Sequence, residues 1–171
     1  MKIRGTQALA LVGGLFLGTV AAADEMTHAQ YESAEDKIEF NYKVAKGHCG
    51  GLAGNAKEVC VAEAKGAQSV EKAELEARHE PTARNIQDVR RARAEAKYSI
   101  AMERCDAKSG NDEDVCKQEA KAARVHARSD ISSRTDTSGA DYAVAKEKCG
   151  TFSGDAKDRC IDDAKARFAR Q

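Results

Sequence analysis

The sequence predicts an all-α fold: three antiparallel helical hairpins, each stapled by one disulfide, joined by a long helix and a flexible linker. Three observations lead there. First, one block is written three times, over 42–67, 98–123 and 142–167, and all 6 cysteines lie inside it. Each copy reads Tyr, a Cys, a Gly, then Asn or Asp, a second Cys, and an acidic residue followed by Ala-Lys. Second, alanine and charged residues dominate, Trp is absent and Pro occurs 1 time. Ala, Lys, Glu and Arg are the strongest helix formers. Third, apolar residues in the first copy recur at Ile38, Tyr42, Ala45, Cys49 and Leu52, the spacing of one helix face.

The amino terminus reads as a secretory signal peptide over 1–23. Lys2 and Arg4 form a positive start, 8–20 is uncharged and mostly apolar, and Ala21-Ala22-Ala23 supplies the small residues of a cleavage site. The polar chain begins at Asp24. The apolar run falls short of the roughly 20 residues that span a bilayer, and no later segment is apolar enough to do so. Export to an oxidising compartment, the periplasm or the exterior, agrees with an even cysteine count at repeated spacing.

The repeat encodes helix, tight turn, helix. Gly54 is a left-handed stop. Asn55 after it suits an N-cap, and Glu58 three residues on completes a capping-box pattern. Gly110, Asn111 and Asp114, then Gly154, Asp155 and Asp158, repeat this chemistry. The two cysteines of a copy sit equally far from the turn and face each other, so the expected pairs are Cys49–Cys60, Cys105–Cys116 and Cys149–Cys160. Extending that register sets Ala45 against Ala64, Tyr42 against Ala67, Tyr98 against Ala123 and Tyr142 against Arg167. A ring against a small residue fills space without voids. The third pairing alternatively stacks an Arg on the Tyr face.

Between copies, the helix from the first block continues until His79-Glu80-Pro81-Thr82 interrupts it, then resumes through Ile86, Val89, Arg93, Ala96 and Ile100. The stretch 129–139 is rich in Ser, Thr, Asp and Gly, the composition of a linker. The expected organisation is therefore 24–128 for two hairpins with their connecting helix, 129–139 for a linker cleaved first near Arg134, and 140–171 for a third, separately moving hairpin.

Function is bounded mainly by exclusion. The chain carries 28 basic and 28 acidic residues, and loses two of the basic ones with the signal. Nucleic-acid binding needs a clustered positive excess, so no nucleic-acid partner is expected. A metal centre needs convergent ligands. His28, His48, His79 and His126 are scattered, and Arg104 and Lys148 replace His48 in the other copies, so no metal or cofactor is expected. There is no close Cys-x-x-Cys pair, phosphate loop or nucleophile elbow, and the chain is read as no enzyme. Two classes remain: a non-catalytic envelope interaction or stress protein with a protein or cell-envelope partner, and a binder of a small molecule or metal. The partner and the oligomeric state stay open at this level.

The pattern Cys-x-x-x-[Ala/Ser]-Gly-[Asn/Asp]-x-x-x-x-Cys with [Glu/Asp]-Ala-Lys resembles small exported proteins of proteobacteria that carry repeated Cys-x10-Cys helical hairpins and are often labelled TolA-like cell-envelope proteins. The resemblance covers 42–167. It implies a periplasmic protein rich in Ala, Lys and Glu helix.

Overall fold

The computed structural model describes residues 26–132 and 137–168. Helix α1 spans His28–His48, α2 Gly54–His79, α3 Ala83–Cys105, α4 Asn111–Ser132, α5 Ser138–Lys148 and α6 Gly154–Phe168. Single 3-10 turns, Cys49–Gly51 and Cys149–Thr151, follow α1 and α5. No strand occurs among the described residues. All three expected disulfides form, with Cα–Cα separations of 5.6 Å for Cys49–Cys60, 5.6 Å for Cys105–Cys116 and 5.8 Å for Cys149–Cys160. The signal segment 1–23 and Arg134 lie outside the described residues.

Local chemistry sets the helix ends. Thr27 caps α1: its hydroxyl accepts the Gln30 backbone N–H, and the Gln30 side chain accepts the Thr27 N–H at 2.8 Å. This reciprocal box satisfies two donors that the first helical turn leaves free. Thr82 caps α3 by accepting the Asn85 N–H at 3.1 Å. At each stapled turn the chain reverses through a glycine with positive φ: 56° at Gly54, 59° at Gly110 and 53° at Gly154. Side chains with a Cβ rarely adopt that region.

The connection between the first two hairpins is a reversal instead of one long helix. Pro81 disfavours helical geometry in the residue before it, and Glu80 is accordingly extended at φ −126° and ψ 92°. Helix α3 therefore turns back along α2. Glu74–Arg93 at 2.6 Å and Glu63–Arg104 at 2.8 Å mark the antiparallel register of this pair.

The expected linker over 129–139 is largely helical where it is described. Helix α4 runs on to Ser132 and α5 begins at Ser138. Ser129 does not break α4, because its hydroxyl donates to the His126 carbonyl at 2.8 Å, an outlet that lets serine stay within a helix. Nor does the third hairpin stand apart. Helix α5 lies along α4, joined by Glu119–Lys148 at 2.6 Å and His126–Asp141 at 2.8 Å.

Packing runs almost wholly between helices adjacent in the chain. The six described helices thus form an up-and-down row in which every inner helix touches the one before and the one after. The core is as thin as the composition implies: beyond Ile38 and Leu75, its buried apolar residues are cysteines and alanines. Among the described residues Leu75 is the one large aliphatic side chain that is almost completely buried, at 1% exposure. Such a layer gains little from apolar burial, so staples matter more.

Candidate functional site

Because the helices alternate direction, the three stapled turns share one end of the row. Each turn has the same backbone closure. The Leu52 N–H donates to the Cys49 carbonyl at 3.1 Å, Lys108 to Cys105 at 2.9 Å and Phe152 to Cys149 at 3.1 Å. Leu52 and Phe152 occupy equivalent positions with nearly the same conformation, φ −97° and ψ 160° against φ −97° and ψ 163°. Their side chains are 44% and 52% exposed. Two apolar side chains are therefore held outward on disulfide-clamped turns, with Lys108 at the corresponding place between them.

The middle turn is braced by charge. Lys117 reaches Asp106 at 2.8 Å and Glu113 at 2.6 Å. Donating hydrogen bonds to Asp106 and then to Glu113 holds its ammonium well above the usual lysine range. Neighbouring turns are tied by the asparagines that follow the first two left-handed glycines. Asn55, expected as an N-cap, instead donates its amide to the Glu103 carbonyl near the end of α3. The cap position of α2 falls on Ala53, without a side-chain bond. Asn111 of the second hairpin lies against Gly150 of the third, so closely that a Cβ there would collide with the amide. One residue type thus serves as a strut between hairpins where the sequence suggested a local cap; both roles use the same short amide.

Lateral ion pairs are the feature that sequence reasoning missed. Glu63–Arg104 joins the first hairpin to the second, and Glu119–Lys148 joins the second to the third. In both, an acid three residues after a copy's second cysteine meets a base one residue before the next copy's first cysteine. The signal was present in the repeat: Glu63, Glu119 and Asp163 on one arm, His48, Arg104 and Lys148 on the other.

The tyrosines do structural work. Tyr42 and Ala45 border the same cleft as Ala64 and Ala67, in the expected register. Tyr98 lies beside Ala123 and under Arg124, whose guanidinium sits 4.2 Å from the ring centre. In the third hairpin the alternative stack of Arg167 on Tyr142 does not form: Arg167 stands over Phe168 at 5.5 Å, while Tyr142 shares a cleft with Lys165 and Phe168.

The structure does not bring the histidines together. His28 faces Glu32 at 3.3 Å, His79 lies against the Tyr31 ring at 4.7 Å and His126 bonds Asp141. Among the described residues no three His, Cys, Asp or Glu side chains converge as metal ligands, and no helix is long and apolar enough to cross a membrane. In comparisons with family models, curated proteins and solved structures, the chain matches none.

Proposed function

We propose that this is a non-catalytic protein of the periplasm or cell exterior that docks a protein or cell-envelope component on its row of stapled turns. The observation that carries the reading is the pair Leu52 and Phe152, exposed on turns of matching backbone conformation that a disulfide and a Cys carbonyl both close. A partner that meets an apolar side chain on a pre-ordered turn avoids the entropic cost of ordering that backbone. The three disulfides support an oxidising compartment, and the signal segment supplies the route.

Photo-crosslinking side chains test this. Placed singly at Leu52 and Phe152 in the exported protein, they should trap a discrete envelope partner. The same group at Ile86, which is 47% exposed on α3 towards the opposite end, should not. Equal labelling from all three sites would refute a docking role for the stapled end. Fractionation of cells, with the mature chain beginning at Asp24, checks the compartment separately.

A further inference from the structure

We infer that this protein self-associates head to tail, with the outer face of α1 in one copy packing on the outer face of α6 in a second. This surface is separate from the row of turns, and the inference stands whether or not that row binds a partner.

The chain builds one lateral interface twice. In each case the second arm of a hairpin packs on the first arm of the next. Helix α2 packs on α3, and α4 packs on α5. The first-arm residues at this interface fall at the same places in the repeat: Ile100 and Arg104 on α3, with Ala96 one turn before, then Val144 and Lys148 on α5. Gly66 of α2 approaches Ala96 and Ile100, and Glu63 pairs with Arg104. Val144 and Lys148 line the groove between α4 and α5 together with Glu119 and Ala122.

The corresponding residues of α1 are Phe40, Val44 and His48. They lie four residues apart on one face, and no helix covers them. Phe40 is 64% exposed and Val44 44%, whereas Ala96, Ile100, Ala140 and Val144 are all partly covered. The unfilled counterpart is on α6. Gly66 and Ala122 are buried in their interfaces, but Ala166 at the same register is exposed. Asp163 stands where Glu63 and Glu119 make their ion pairs. Neither His48 nor Asp163 has an ion-pair partner among the described residues.

A third copy of the interface therefore lacks only a second molecule. In it Asp163 meets His48, and Ala166 lies under Val44 and Phe40, as Gly66 lies by Ala96 and Ile100. Arg159, which replaces Val59 and Val115 of the other copies, falls against the 49–52 turn, where α1 presents its last carbonyls. Cations are favoured at that end of a helix. Such a contact is heterologous, so it either closes into a ring or continues as a filament.

Two surface variants give a decisive test by sedimentation or native mass measurement of the mature, oxidised protein. Val44→Asp breaks the α1 face, and Asp163→Lys with Ala166→Trp breaks the α6 face. All three positions are exposed, so at dilutions where the parent is monomeric the thermal melts should match it. The parent should assemble with rising concentration. Each variant alone should stay monomeric. An equal mixture should form a one-to-one dimer that stops there, because one intact α1 face remains for one intact α6 face. A parent still monomeric at about 1 mM overturns the inference. So does a mixture that fails to pair. Self-association of the Asp163→Lys, Ala166→Trp chain but not of Val44→Asp would show an α1-to-α1 contact and equally overturn it.

Discussion

Gly66→Ala sets two effects of known sign against each other. Gly66 lies inside α2 and is buried, so helix propensity alone favours alanine by about 1 kcal/mol. A Cβ built there would stand 2.9 Å from the Ala96 Cβ and 3.5 Å from the Ala96 Cα. Comfortable carbon contacts need about 3.5–4.0 Å. Ala96 has no rotamer to swing away, so α2 and α3 must separate along their whole interface. Loosening the Glu63–Arg104 and Glu74–Arg93 pairs is part of that cost. Overpacking of this kind costs about 1–3 kcal/mol. The net expectation is a loss of about 1 kcal/mol, read as a melting point lower by about 2–4 °C. Ala96→Gly in the same chain moves the methyl from one helix to the other. The double variant should recover about 1–2 kcal/mol relative to additivity. If Gly66→Ala instead raises the melting point, propensity has won and α2 and α3 are not in the close contact described.

Three further outcomes are expected. Alkylation without reduction should find no reactive thiol, since all six cysteines are paired; each staple closes a separation of 11 residues, worth about 2.8 kcal/mol in the chain-entropy treatment, so reduction should collapse the melting transition, and an unchanged melt would contradict the thin core. Leu75→Ala should cost about 2–4 kcal/mol by chemical denaturation, because among the described residues no other large aliphatic side chain is so fully buried; a loss below about 1 kcal/mol would place stability elsewhere. Tyr31 donates its hydroxyl to Glu76 at 2.9 Å, and that bond, aided by burial and nearby acids, raises the phenol above its ordinary value of 10.0. The folded state therefore holds this proton more tightly than the unfolded state, so the stabilisation is complete below pH 10 and is lost as pH climbs through the folded value. Tyr31→Phe should accordingly melt below the parent at pH 8, with the gap narrowing above pH 10; a gap independent of pH would dismiss the bond.

The elements that were legible from residues alone are those whose cause is local. The left-handed glycines and paired cysteines fix each hairpin within about a dozen residues, and the register that sets Tyr42 by Ala67 follows from symmetry about the turn. What failed was non-local. Asn55 was readable as a cap because a cap and a strut use the same amide; only the arrival of α3 decides between them. The 129–139 composition pointed to a linker, and α4 ends and α5 begins within that stretch, but Ser129 at its start satisfies itself inside α4. Pro81 announced an interruption but not its angle, and the angle is what lays α3 on α2. The lateral charges were visible in the repeat but had no meaning until hairpins stood side by side.

Packing confined to consecutive helices also bears on the order in which this molecule assembles. A chain that enters an oxidising compartment amino end first offers its thiols one after another. Cys49 and Cys60 arrive together, then Cys105 and Cys116, then Cys149 and Cys160. Every native bond joins a thiol to the next one to appear, so oxidation in sequence of emergence yields the native set without reshuffling. Each new helix finds its docking surface already made by the one before it, and folding need not wait for a distant segment. Contacts so local carry a small loop-closure cost and favour fast folding. Built this way, under the proposed export the protein can be completed at the pace at which it is delivered.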